Sequence, residues 1–492
     1  MRQKKARPQT ISPARKSAFD VLMAVERGSA HVDDLLRGSA VSALSDADRN
    51  LATALVLGVL RWQIRLDAEI QNLLSRPGAK LDAPVRIALR LAAFQLLNMD
   101  RIPPHAAIDE SVELAKQAGH QFASRMVNAV LRKMAAEHSA FPRKQQVPSG
   151  AKAPIDSDPM TARAKPGPFK AASSLENASS VAAELAQEWA HPAWLVERWI
   201  AFYGEDAARS ICRHGQMQPV QAVRIENAAV EAELADAGIR LAPGELLSSA
   251  RIVVAGDVTA TAAFREARVR LQDEGSQLIG EIAADPERRA ASMLDVCAAP
   301  GGKTLILAQR NPQTKIVACE WNAQRLARLR ERMAFLADRL ECRRADAAAA
   351  AGDSAYDVVL ADVPCSGTGT LGRNPEIRHR LHGEDLTRQA ERQKAILRAA
   401  VTAVRRGGRL VYSTCSLEPE ENEQVVAAVL AARADARLIP ARDRIDELRR
   451  GGIVTEAGAD RLHACATREG YLRLLPGVLG TDGFFVAVIE RN

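Results

Sequence analysis

The sequence predicts a multidomain chain: an all-helical bundle, then a small α+β subdomain, then an α/β domain on a mostly parallel sheet. Three observations carry this expectation. The 492 residues exceed what one hydrophobic core usually serves. Residues 1–137 show apolar positions at helical spacing and no convincing alternating strand. Further on, short apolar runs alternate with helical patterns, and nearly every run closes on an acidic residue or a cysteine.

In the first third, Ser12-Pro13 reads as an N-cap followed by proline at the first helical position. Ala18, Leu22 and Val25 then recur until Gly28; Leu51, Leu55, Gly58 and Trp62 form a second stripe, and Val85, Leu89, Ala92 and Leu96 a third. Residues 138–180, rich in Pro, Lys, Ala and Ser, read as a flexible linker. Residues 181–270 read as the small α+β subdomain. It begins at His191-Pro192, with Trp194 and Trp199 expected in its core, and includes the strand-like runs Ala222-Val223-Arg224-Ile225 and Arg251-Ile252-Val253-Val254. Residues 271–492 form the last domain.

That domain opens with Met293-Leu294-Asp295-Val296, a buried strand, running through Cys297-Ala298-Ala299-Pro300-Gly301-Gly302-Lys303-Thr304 into a helix. Such a turn presents backbone N–H groups at a helix N-terminus, where a nucleotide-like ligand can sit. The next strands end at Glu320, Asp346, Asp362 and Cys415, on the side where ligands bind an open α/β sheet. Glu320, closing the second strand, suits the two hydroxyls of a ribose, and Asp346 suits an adenine amino group. The turn is not G-x-G-x-x-G. It also fails as a phosphate-binding loop, because Cys297 stands where that motif needs its first glycine. S-adenosylmethionine (SAM), which has ribose and adenine but no phosphates, fits this acidic pattern better than NAD or a nucleoside triphosphate. No metal site is read from the sequence.

The N-terminal part resembles the NusB-like RNA-binding fold through Asp48-Arg49-Asn50-Leu51, Val85-Arg86-Ile87-Ala88-Leu89-Arg90, Arg101-Ile102-Pro103-Pro104-His105-Ala106-Ala107 and Val127-Asn128-Ala129-Val130-Leu131-Arg132-Lys133. The C-terminal part is similar to the Sun (RsmB-type) RNA cytosine-C5 methyltransferases. The motifs are the 297–304 turn, Asp362-Val363-Pro364-Cys365-Ser366-Gly367-Thr368-Gly369 and Ser413-Thr414-Cys415-Ser416-Leu417-Glu418-Pro419-Glu420-Glu421-Asn422. The resemblance implies a NusB-like module at 1–137 and a Rossmann-like SAM-dependent methyltransferase domain at 271–492. The fused helical module points to the branch acting on a 16S ribosomal RNA cytosine. Val363 in place of alanine and Glu226 in place of asparagine are departures, the second bearing on RNA contacts in the subdomain.

C5 of cytosine is a poor nucleophile, and thiolate attack at C6 converts the ring to an enamine-like species that can take a methyl at C5. An acid near N3 and O2 neutralises the ring, and a base later removes the C5 proton. By resemblance Cys415 is the nucleophile, Cys365 assists product release and Asp362 is the acid. DNA cytosine methyltransferases place their nucleophile in a Pro-Cys motif, which would favour Cys365 instead. The expected cofactor site is Cys297, Ala298, Ala299, Pro300, Gly301, Gly302, Lys303, Glu320, Asp346 and Asp362, with the role of Lys303 open. Cys297, Cys319 and Cys342 read as buried packing thiols. Arg373-Asn374-Pro375-Glu376-Ile377-Arg378-His379-Arg380 reads as a basic clamp for the RNA backbone.

Composition agrees. The net charge of +7 suits a polyanionic partner, and seven scattered cysteines without a C-x-x-C pair suit a reducing compartment. With no apolar run long enough to span a bilayer and no signal-peptide core, a cytoplasmic monomer without a membrane partner is expected. Its partners would be 16S rRNA and a pre-ribosomal particle. A non-catalytic RNA-binding or ribosome-assembly protein is the rival reading, and a site with three such side chains argues against it.

Overall fold

The computed structural model describes residues 11–28, 31–140, 175–285, 288–349 and 355–492. The expected linker at 138–180 lies for the most part outside them. The chain forms two compact units, one from Met1–Gln218 with Leu371–Arg380, the other from Pro219–Thr370 with Leu381–Asn492.

The described part of the first unit is helical. Its longer helices are Pro13–Glu26, Asp46–Leu73, Ala83–Asn98, Pro104–Gln117, Ser124–Ala140, Leu175–Glu188, Ala193–Tyr203 and Glu205–Gln216. The predicted stripes face inward: Leu22, Leu55 and Leu89 are buried in one core. Gly58 lets two helices meet closely, since a Cβ there would lie 2.0 Å from the Phe94 ring. Ser12 does occupy the N-cap, but its hydroxyl donates to Glu110 at 2.7 Å rather than capping the helix. Trp199 is fully buried, with the His191 ring edge-on at 5.8 Å. Of the stretch 181–270, the helices up to Gln216 belong to this unit and the strands to the other.

The expected RNA clamp is corrected at its centre. Arg378 is 3% exposed, and its guanidinium donates to the carbonyls of Arg61 at 3.0 Å and Gly215 at 3.1 Å, within the first unit. Burial pushes it down to about 9. His379 Nε2 lies 2.7 Å from the Leu60 carbonyl, and burial pushes that imidazole down to about 4. The backbone carbonyls replace water around these groups, so neither side chain presents its charge to phosphate.

The second unit holds two sheets. A small antiparallel one has β1 (Ala222–Arg224), β2 (Arg240–Pro243), β3 (Ala250–Ala255) and β4 (Arg270–Leu271) in the order β2-β3-β1-β4. Val223, Leu234 and Val258 are in its core. Glu226, the departure noted above, is ion-paired with Arg224, whose other arm reaches the buried Glu281. The large sheet has β5 (Ser292–Asp295), β6 (Lys315–Cys319), β7 (Leu340–Arg343), β8 (Tyr356–Asp362), β9 (Val404–Thr414), β10 (Ala436–Ile439), β11 (Leu472–Leu474) and β12 (Phe484–Arg491). The order is β10-β12-β9-β8-β5-β6-β7, with β11 on β12. β5 to β9 pair in parallel, and β10 to β12 join antiparallel. Side chains alternate: Met293, Val358 and Leu360 enter one core, Leu294, Val359 and Ala361 the other, as a sheet covered on both faces requires. The chain runs from β5 outward to β7, then returns to the other side of β5 as β8. That reversal between β5 and β8 is where an open α/β sheet leaves a crevice beyond its carboxyl ends. Among the described residues no helix is long and apolar enough to cross a membrane.

Candidate active site

The predicted site residues gather at that crevice. After β5, the turn passes through a cis peptide at Ala299-Pro300 and reaches Gly301 with φ +104°, then the helix Gly302–Arg310. Gly301 is required twice over: its backbone is left-handed, and a Cβ would lie 2.5 Å from Met333 Cε. The Ala298 N–H donates to the Cys319 carbonyl at 2.9 Å, fixing the turn against the end of β6, and Arg325 donates to the Ala299 carbonyl at 2.7 Å. The turn is thus held by its neighbours before any ligand arrives.

Three carboxylates surround it. Asp295 is 1% exposed; it accepts from the Thr304 hydroxyl at 2.8 Å and the Cys297 N–H at 3.3 Å. Burial, reinforced by the Asp362 charge, pushes it up to about 7. Glu320, 7% exposed at the end of β6, accepts from the Asn322 N–H at 2.8 Å and faces Arg325 at 3.3 Å. Beside it Trp321 is 58% exposed, with the Arg344 guanidinium over its ring. Asp362 ends β8 and bridges two donors, Lys303 Nζ at 2.7 Å and the Ser413 hydroxyl at 2.7 Å. Burial works against the Lys303 ammonium, yet the adjacent Asp362 carboxylate outweighs it and holds the lysine above its ordinary range. Asp346 follows β7, exposed, with one oxygen accepting from the Ala348 N–H at 3.1 Å.

The two thiols meet. Cys365 Sγ and Cys415 Sγ are 3.3 Å apart, and both cysteines are free. The hydrogen bond to Cys415, then burial, raises the Cys365 thiol well above the ordinary range, so Cys365 keeps its proton. Their loops are locked by Glu421, fully buried, which accepts from the Ser366 N–H at 2.8 Å, from Gln393 at 2.9 Å, and from the hydroxyls of Ser366 and Ser416. The Gly369 N–H donates to the Cys415 carbonyl at 2.9 Å, and Gly483 packs directly on Gly369.

Of the other thiols, Cys319 is buried, as expected for packing. Cys297 and Cys342 are only half-buried, each packed at the margin of one of the two cores that flank the sheet. Sequence reasoning gave no role to Asp295, Ser413 or Glu421. Asp295 and Ser413 carried a signal, a polar side chain at the end of an apolar strand; Glu421 carried only its place in the 413–422 motif.

The family model described as 16S rRNA methyltransferase RsmB/F matches residues 282–490. The NusB family model matches 12–136, and a ferredoxin-like domain of RsmF/B-like methyltransferases matches 191–259. A Bacillus subtilis (strain 168) protein named probable ribosomal RNA small subunit methyltransferase B is 32% identical over 496 residues, covering 97% of this chain and 98% of its own. The chain belongs to the RsmB/F family of 16S rRNA methyltransferases. The ribosomal RNA small subunit methyltransferase B of Pseudomonas putida is 30% identical over 97% of this chain and 98% of its own. The crystal structure of PH0851 superimposes with a TM-score of 0.73 at 22% identity, covering 99% of this chain and all of that one, and so shares the fold. This RsmB/F chain combines a NusB helical domain, a ferredoxin-like subdomain and a Rossmann-like methyltransferase domain with a mixed sheet.

Proposed function

We propose that this RsmB/F chain transfers a methyl group from SAM to C5 of a cytosine in 16S rRNA through a covalent cysteine–C6 adduct. The observation that carries the reading is the thiol pair, 3.3 Å apart at the ends of adjacent parallel strands, beside the Asp362–Lys303 pair. Binding alone needs no such pair.

The residues suit SAM. Its sulfonium and α-amino group are cationic, and three carboxylates, Asp295, Glu320 and Asp362, stand around the turn against two cations, Lys303 and Arg325. A cation there would favour the ionised form of Asp295. Glu320 would take the ribose hydroxyls, and Asp346 the adenine amine. The turn residues Cys297, Ala298, Ala299, Pro300, Gly301 and Gly302 would lie along the cofactor. When bound, SAM supplies an electrophilic methyl group.

The protein's own groups do the rest. With Cys365 protonated, Cys415 is the thiol that attacks C6, its S–H proton passing to the adjacent Asp362–Lys303 pair. As the C6–S bond forms, N3 gains a proton from the Asp362–Lys303 pair, and the electron pair moves to C5, which takes the methyl. Cys365 then gives its proton to solvent, the one proton the overall transfer releases, and as thiolate accepts the C5 proton. The C5–C6 double bond re-forms, the Cys415 thiolate departs, and the N3 proton returns to Asp362. Lys303 is thereby a proton reservoir and charge partner for Asp362. The helical module, 1–137, serves to hold RNA, and the subdomain joins it to the catalytic domain, 271–492, in a cytoplasmic monomer acting on 16S rRNA or a pre-ribosomal particle.

The test compares Cys415→Ala and Cys365→Ala with SAM and 16S rRNA. Cys415→Ala is expected to abolish methylation with no adduct, and Cys365→Ala to leave protein trapped on RNA as a denaturant-resistant band. Reversed outcomes swap the roles; normal turnover in both variants overturns the mechanism.

A further inference from the structure

Away from the thiol site, the first unit contains a cavity of about 170 Å³, lined by the buried Leu22, Leu60 and Ile87 and, at its polar end, by Glu376 and His379. Glu26, Arg90 and Arg380 also line it, and Glu26 and Arg380 are exposed to solvent. Glu376 is 1% exposed. Its Oε1 accepts from the Val32 N–H at 3.4 Å, while its Oε2 has no hydrogen-bond partner among the described residues. A buried acceptor of this kind calls for a donor within the cavity.

The lining decides what sort of donor. Two carboxylates, Glu26 and Glu376, face two guanidiniums, Arg90 and Arg380, so neither a cation nor an anion is favoured. Arg90 is in any case held by Asp67 at 2.6 Å. His379 adds no charge: burial pushes it down to about 4, and its Nε2 is committed to the Leu60 carbonyl. The occupant is therefore neutral, flat enough for aliphatic walls, and bears an N–H at one edge. An engineered apolar cavity of about 150 Å³ accepts benzene, so a six-membered aromatic ring fits this volume. A carboxylate reads the exocyclic amine of cytosine, whereas uracil presents a carbonyl oxygen at that position and would set acceptor against acceptor.

We propose that this cavity takes the base of an unpaired cytosine in the RNA, other than the methylated one, with its N4 amine donating to Glu376 Oε2. The proposal rests on the reading of RNA as substrate and adds a second place where the chain reads it. Single-stranded RNA is recognised in this way, by splaying a base out and bonding its Watson–Crick edge.

The test uses the full-length protein and short fluorescent oligocytidylate and oligouridylate, read by anisotropy at one salt concentration. Glu376→Met removes the acceptor; Val59→Phe, at another buried lining position, fills the space and leaves the carboxylate in place. Cytidylate affinity is expected to fall about tenfold in both variants, while affinity for uridylate and for SAM stays within about twofold. Unaltered cytidylate affinity in either folded variant overturns the assignment. If the wild type methylates 16S rRNA while the variants bind cytidylate normally, the cavity assignment alone fails. If the wild type transfers no methyl group to RNA, the reading beneath it fails as well.

Discussion

Replacing Asp295 by asparagine tests the electrostatics of the cofactor turn. Asp295 is raised from 3.8 to about 7, chiefly by burial and secondly by the Asp362 charge. Because the folded state binds this proton more tightly than the unfolded chain does, the stability the group contributes is complete below about pH 3.8. It is lost as pH rises through about 7. A shift of that size corresponds to roughly 4 kcal/mol between the two limits. An asparagine side chain would keep an acceptor for the Thr304 hydroxyl without an ionisation to bury. The Asp295→Asn variant is therefore expected to gain stability over the wild type as pH rises from about 5 to about 8, by roughly 2.5 kcal/mol. Guanidinium unfolding of both proteins across that range, followed on the transition that SAM shifts, measures the difference. A cation bound nearby should also draw a proton off Asp295, so calorimetric SAM binding near pH 6 should release protons to buffer in the wild type and not in the variant. A stability difference that is the same at every pH refutes the burial argument. Buffer-independent heats refute the placing of the cation.

Two further changes probe the thiol loops. Gly369→Ala would put a Cβ 2.4 Å from the Gly483 carbonyl oxygen and 2.9 Å from that of Cys415, both rigid backbone. A destabilisation of about 1–3 kcal/mol and at least a tenfold drop in methylation are expected, read by denaturation and by methyl incorporation. A variant as active and stable as the wild type contradicts this packing. Glu421→Gln turns one acceptor oxygen into a donor facing Ser366, Ser416 or Gln393. It should lower stability by about 1–3 kcal/mol and depress turnover while SAM affinity, by calorimetry, holds within about threefold. Lost SAM affinity with intact turnover would show that Glu421 supports the cofactor side instead.

The elements whose chemistry is local were legible before the structure. The strand–turn–helix at 292–304, the strand-end acids and the two cysteines each sit in a short pattern whose geometry follows from a sheet's carboxyl edge. What escaped depends on residues distant in sequence. The raised Asp295 owes part of its shift to Asp362, on a different strand, and no pattern around 295 foretells it. The segment from Arg373 to Arg380 reads as solvated because it is basic, yet Arg378 finds its partners among carbonyls at 61, 190, 215 and 371. A guanidinium satisfied by backbone has no signature of its own. The helices up to Gln216 fall within one ferredoxin-like domain match with the strands that follow, yet belong to the first compact unit, because adjacency in sequence does not tell which core an amphipathic face will join.

The ten residues Leu371–Arg380 carry a consequence for how the protein is made. They belong to the first unit although 152 residues of the second, Pro219–Thr370, are translated before them. The helical unit therefore cannot complete its buried arginine network when its own helices leave the ribosome; the carbonyls of Arg61, Ala190 and Gly215 wait for Arg378 until residue 380 has been synthesised. No single cut in the chain separates two intact parts. A truncation after Gln218 would give a helical unit without this plug, and a fragment starting at Pro219 would carry the plug with nothing to receive it.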